Sequence, residues 1–176
     1  MKRGFIHLYH GDGKGKTTAA LGLALRASGC GKSVVFVQFL KDWKCGELNQ
    51  LRMLPNITVM RGESTGGKFT CDMTDEEKAA VKSGHDRILA EALELQRRGE
   101  CDMLVLDEGI DAYGCDLIDK ALFESLFTDK PEPLELVVTG RLPEPLFLET
   151  ADYVTEMVKR RHPYDLGVTA RRGIEF

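Results

Sequence analysis

The chain has little of what several enzyme classes require. Only four histidines, His7, His10, His85 and His162, are spread over 176 residues. None stands in a legible Ser-His-Asp or Cys-His arrangement, so no nucleophile-and-base pair announces itself. His85 falls mid-helix and reads as a surface residue, while His10 reads as a residue that shapes its neighbourhood. Five cysteines (Cys30, Cys45, Cys71, Cys101, Cys115) include no C-x-x-C pair. An odd count without metal-ligand spacing suggests free thiols in a reducing cytoplasm. No apolar run reaches membrane-spanning length, and the opening Met1-Lys2-Arg3-Gly4-Phe5 has no signal-peptide pattern, so no membrane partner is expected. A basic excess is also missing: 24 Lys and Arg against 28 Asp and Glu give a formal net charge of −4, which argues against a nucleic-acid partner.

What is present is a regular alternation of strand and helix signals in one unit, residues 1–176, long enough for a substantial core. Ser33–Phe39 and Met103–Leu106 are continuous apolar runs of strand length, as in parallel strands buried on both faces. Phe5–Tyr9, Ile57–Met60, Leu134–Thr139 and Tyr153–Val158 complete the strands. Helices are expected over Ala19–Ser28, Gly46–Leu54, Asp116–Thr128 and Pro143–Thr150. A long one runs from the capping box Thr74-Asp75-Glu76-Glu77 to about Arg98, with Gly99 closing it. This order predicts an α/β fold, a mostly parallel doubly wound sheet with helices on both faces.

The strongest motif is Gly11-Asp12-Gly13-Lys14-Gly15-Lys16-Thr17-Thr18, set between the first strand and the first helix. Glycines let backbone N–H groups converge, and the helix N-terminus adds unpaired donors and partial positive charge. Lys16 can reach a terminal phosphate and the Thr17 hydroxyl can ligate magnesium. The usual G-x-x-x-x-G-K-[ST] spacing would put its first glycine at position 10, which is His10; here it comes one residue late, at Gly11.

Two further strand ends carry chemistry. Asp107 and Glu108 close an apolar strand downstream of the phosphate loop, where one of the pair is expected to hold Mg²⁺ directly or through water. Arg141, in Thr139-Gly140-Arg141, has the fork that fits phosphate oxygens. Lys159, Arg160, Arg161, His162, Arg171 and Arg172 crowd the end of the chain, either as a solvated tail or as a site for an anionic ligand.

Together these segments resemble the corrinoid adenosyltransferases of the CobA/CobO type, which transfer the adenosyl group of ATP to cobalt in vitamin B12 synthesis and salvage. The likeness is carried by Gly11–Ala27, Val37-Gln38-Phe39-Leu40-Lys41, Gly46-Glu47, Leu104–Glu108, Val138–Arg141, Ala151–Met157 and the ending His162–Phe176. It implies a RecA-like P-loop NTPase fold, usually a homodimer, with ATP and a corrinoid as substrates, Mg²⁺, and triphosphate leaving whole. It implies an ATP reversed relative to ordinary P-loop enzymes, which agrees with the altered loop entrance. By the same likeness Lys16, Thr17 and Thr18 hold the phosphates, Thr17 and Glu108 hold the metal, and a flavodoxin-like protein is the reductant. The nucleophile, Co(I), carries no proton, in keeping with the missing base. Relatives carry a Gly-Phe-Thr-Trp segment whose apolar side chains exclude the lower axial ligand of cobalt. Here the stretch reads Lys68-Phe69-Thr70-Cys71, so Phe69 takes that role and Cys71 replaces the tryptophan, with Trp43 as a substitute candidate. Many relatives also carry an N-terminal extension that this chain almost lacks. Two other readings stand beside this one: a P-loop small-molecule kinase, and a nucleotide-dependent regulatory ATPase of the RecA class.

Overall fold

In a computed structural model, residues 3–41, 45–62, 68 and 70–175 are described. Six strands form one sheet: β1 (Ile6–His10), β2 (Val34–Gln38), β3 (Ile57–Arg61), β4 (Met103–Asp107), β5 (Glu135–Thr139) and β6 (Tyr153–Glu156). Their order is β3-β2-β4-β5-β1-β6 and every pairing is parallel. The helices are α1 (Lys16–Gly29), α2 (Gly46–Leu51), α3 (Asp75–Arg97), α4 (Gly109–Gly114), α5 (Lys120–Thr128) and α6 (Pro145–Thr150).

Strand side chains alternate between two cores. Val34, Phe36, Met103, Val105 and Val137 meet Ala20, Ala24 and Ala27 of α1 on one face. Val35, Val37, Leu104, Leu106, Leu136 and Val138 meet Ile88, Leu89 and Ala92 of α3, with Phe123 and Phe147, on the other. Every residue of β2 and β4 is buried, the apolar Val34–Val37 and Met103–Leu106 as well as the polar Gln38 and Asp107 that end the two strands. The alanines on α1 let that helix lie close to the sheet and hold the phosphate loop against the ends of β1, β4 and β5.

Several boundaries differ from the sequence expectation. α1 starts at Lys16, directly on the glycine turn, because Gly15 takes φ 122° and serves as N-cap. Residues 116–119 are not helical: the Asp119 carboxylate caps the Leu122 N–H and starts α5 at Lys120, while Gly109–Gly114 forms α4 upstream. β6 ends at Glu156. The capping box at Thr74 and Glu77 forms, and Gly99 closes α3 at φ 76°.

His85 is not a surface residue. It is 1% exposed and lies in the apolar stripe of α3 with Val81, Ile88, Leu89 and Ala92. Nδ1–H donates to Leu117 O at 2.8 Å, and the ring meets Phe39 edge-on at 5.0 Å. Burial pushes its pKa down and keeps it neutral. The 3.6-residue spacing of this stripe, and not residue polarity, was the informative signal.

Candidate active site

The carboxyl ends of the strands open onto a cavity of about 810 Å³ lined by Asp12–Thr18, Glu108, Asp111 and Arg141. Parallel α/β sheets place ligands at this edge. Gly11 and Gly13 sit under the loop because a chain passes there: a Cβ on either would lie 2.5 and 2.6 Å from Met157 O. The Gly13 N–H donates to that same oxygen at 2.6 Å, and Gly11 N–H to Arg141 O at 3.1 Å. The Asp12 carboxylate accepts the Lys159 N–H at 2.9 Å, so it braces the loop against the tail. Within α1, the first N–H to find a carbonyl across the loop junction is that of Ala19, bonded to Gly15 O. The amides of Lys16, Thr17 and Thr18 precede it at the cavity wall, the donor arrangement that suits an anion.

Two lysines of the loop are already engaged. Lys16 Nζ folds back to Gly13 O at 2.9 Å. Burial, with the Arg141 charge, lowers its pKa. Lys14 Nζ reaches the end of the chain, donating to Glu175 Oε1 at 2.8 Å and Ile174 O at 3.3 Å. Arg171 and Lys14 together press the Glu175 carboxyl down to about 2. The tail therefore crosses the phosphate loop, and His162, Gly173, Ile174 and Glu175 line the cavity.

Asp107 is the hub of the site. It is fully buried, yet its carboxylate accepts four hydrogen bonds. Thr17 Oγ1 and Thr139 Oγ1 each donate to Oδ1 at 2.9 Å. Gln38 Nε2 and Lys41 Nζ donate to Oδ2 at 3.1 and 2.7 Å. The ends of β2, β4, β5 and α1 are thus tied to one carboxylate, in the way a buried charge must be satisfied. Gln38 Oε1 is left without a partner among the described residues.

Glu108 turns outward from this hub. Its backbone is left-handed, φ 59° and ψ 22°, a conformation that costs a non-glycine residue about 1–3 kcal/mol. The Glu108 N–H donates to Thr139 Oγ1 at 2.9 Å, which holds the turn. Its side chain, 31% exposed, lies 3.5 Å from Lys41 Nζ. Burial in the cleft pushes its pKa up to about 7; Lys41 opposes the shift, and Asp107 and Asp111 add to it. For Lys41, burial pulls the pKa down, but Asp107 and Glu108 more than reverse it, so the ammonium stays charged.

The loop, Glu108 and Arg141 line one cavity, and Asp107 is bonded to Thr17 behind its wall. Phe69 and Trp43 fall outside the described residues. Gln38, Lys41 and Thr139 were not singled out as site residues from sequence. Their signal was a polar residue at or just past the end of a buried apolar strand.

A family model described as ATP:corrinoid adenosyltransferase BtuR/CobO/CobP matches residues 2–176. A corrinoid adenosyltransferase of Escherichia coli is 33% identical over 99% of this chain and 87% of its own length. A corrinoid adenosyltransferase CobA of Salmonella typhimurium is 35% identical with the same two coverages. Among solved structures, EssC (ATPases 2 and 3) from Geobacillus thermodenitrificans superimposes with a TM-score of 0.56 at 15% identity, over 97% of this chain and 35% of that one. That likeness concerns the fold alone, a P-loop ATPase domain.

Proposed function

Because the chain belongs to the ATP:corrinoid adenosyltransferase family, we propose that it transfers the 5′-deoxyadenosyl group of ATP to the Co(I) centre of a corrinoid and releases triphosphate. The observation that carries this reading is the family match over residues 2–176, joined to a phosphate cradle that opens onto the same cavity as Glu108 and Arg141.

The amides at the start of α1, with Lys16 and Thr18, hold the triphosphate, and Arg141 meets its oxygens from the end of β5. Co(I) donates an electron pair to C5′, the Co–C bond forms as the C5′–O bond breaks, and the pair leaves on triphosphate. No proton moves, so no general base is required. The residues lower the barrier by fixing the two reactants and by placing positive charge where the leaving group gains negative charge.

The donor set also suits Mg²⁺, which takes one or two carboxylates and completes its shell with phosphate oxygens and water. Thr17 Oγ1 and Glu108 Oε1 already face one cation, the Lys41 ammonium, at 3.1 and 3.5 Å. Thr17 and Glu108 would hold the metal, and the saturated Asp107 would orient them from behind. Bound there, Mg²⁺ supplies further charge to the triphosphate.

We extend the proposal to a homodimer, a flavodoxin-like reductant and a cytoplasmic setting. Among the described residues no helix is long and apolar enough to cross a membrane. Phe69 is assigned to the lower face of the corrinoid. Phe69→Ala should impair turnover from Co(II) with a protein reductant more than turnover from pre-reduced Co(I), and equal losses would remove that assignment. The function itself is tested by adding ATP and Mg²⁺ to the protein with chemically reduced cobalamin. A light-sensitive alkylcobalamin spectrum is expected, and an unchanged corrinoid with ADP formed would overturn the reading in favour of a kinase.

A further inference from the structure

Lys41 sits where a divalent cation would be expected. Its side chain is 11% exposed, and its ammonium lies 2.7 Å from Asp107 Oδ2, 3.1 Å from Thr17 Oγ1 and 3.5 Å from Glu108 Oε1. Thr17 gives its hydroxyl hydrogen to Asp107 Oδ1, so the oxygen turns a lone pair toward Lys41. A metal bound to Thr17 would use that same lone pair. Two adjacent carboxylates in a cleft call for a nearby cation, and here Lys41 provides it.

The backbone beside it is clamped, so that only the side chain would have to move. Leu40 takes a left-handed φ of 57°. Its N–H points to His85 Nε2 at 3.5 Å, and the Arg61 guanidinium donates to Lys41 O. The ammonium rides on a flexible four-carbon stem at the wall of the cavity. An ammonium and a divalent cation cannot share these oxygens, because at such a distance their repulsion in a cleft is severe.

From this we infer that Lys41 is a resident counter-cation: it fills the divalent-metal position in the nucleotide-free protein and is displaced onto the polyphosphate when metal and nucleotide enter together. This inference rests on the reading that the cavity takes a metal–nucleotide. Its consequence is ordered occupancy. A divalent ion alone must expel a paired lysine into an empty cleft, whereas with a nucleotide present the lysine gains phosphate oxygens. The exchange therefore couples metal entry to nucleotide entry.

Mn²⁺ is the probe, with free ion read by electron paramagnetic resonance and stability read by thermal melting, both without nucleotide. The wild-type protein should bind Mn²⁺ weakly and melt at the same temperature with or without it. Lys41→Met leaves the carboxylates uncompensated. It should bind one Mn²⁺ at least about tenfold more tightly, and its melting temperature should rise with the ion. Lys41→Gln serves if the methionine variant does not fold. Adding Glu108→Gln to either variant should remove the gain. Unchanged Mn²⁺ affinity in the Lys41 variants, or a gain that survives Glu108→Gln, would overturn the inference. Binding of Mn²⁺–ATP to the wild-type protein, measured in parallel, separates the two levels. Its absence counts against the nucleotide reading, while its presence with no gain at Lys41 counts against the exchange alone.

Discussion

Replacing Asp107 with asparagine changes one atom in the centre of the site and inverts its hydrogen-bonding logic. The asparagine carbonyl can still accept from Thr17 and Thr139. Its amide would then face Gln38 Nε2 and Lys41 Nζ, both of which now donate to Oδ2. The Gln38 amide could turn its unpartnered Oε1 to the new donor, but the ammonium could not, and a buried ammonium would lose its closest counter-charge. Breaking a buried pair by removing one partner costs about 3–5 kcal/mol. Lys41 keeps Glu108 at 3.5 Å, so the lower end applies, about 3 kcal/mol. For a chain of this length that corresponds to a melting point lowered by about 6–12 °C. Urea unfolding of nucleotide-free protein measures it, with an unchanged m-value showing that the two end states are preserved. In a Lys41→Met background the unpaired ammonium is gone, so Asp107→Asn should cost less there, by at least about 1.5 kcal/mol. A single-variant loss under about 1 kcal/mol, the range of exposed pairs, would refute the hub. So would additivity within about 0.5 kcal/mol in the cycle.

Other outcomes follow from the same geometry. Lys16→Ala should leave the fold intact and reduce turnover at least about 100-fold, read in the corrinoid assay, since a charge at the leaving triphosphate is lost. Gly13→Ala would drive a methyl into Met157 O, and calorimetry should show a loss of about 1–3 kcal/mol. Gly22→Ala, with open space around the new methyl, should be neutral or stabilising by about 0.5–1 kcal/mol. Glu108 binds a cation only when ionised, and burial holds its carboxyl near 7. Metal–nucleotide affinity should therefore fall as pH is lowered through about 7, and Glu108→Gln should flatten that dependence. A pH-independent wild-type affinity between 6 and 8 would contradict the assignment, where about 7 marks the midpoint.

The fold was readable because its signals are local and redundant. Continuous apolar runs of strand length at Val34–Val37 and Met103–Leu106 fit strands covered on both sides, and the glycine turn at Gly11–Gly15 marks the passage from strand to helix, although α1 starts three residues before the expected Ala19. The capping box at Thr74 marked the start of α3 to the residue. The site was half readable. Candidates whose chemistry is written in their type and spacing, such as Lys16, Thr17, Asp107 and Glu108, could be named directly, and the fold brings them to one cleft. Lys41 and Gln38 could not, because their role depends on β2 lying beside β4, so that Gln38 pairs with Asp107 across the sheet. His85 is buried although it is polar, because the helical spacing of Val81, Ile88, Leu89 and Ala92 puts it on the inner face of α3. The crossing of the tail over the loop, Lys14 to Glu175, joins residues 161 positions apart and left no local trace.

On the proposed function the loop cradles a triphosphate that departs whole while C5′ reacts. Phosphorus NMR of a single turnover with reduced corrinoid tests it most directly. Tripolyphosphate in one-to-one ratio with the Co–C product is expected, and no ADP. ADP with orthophosphate, or pyrophosphate released without Co–C bond formation, would contradict it.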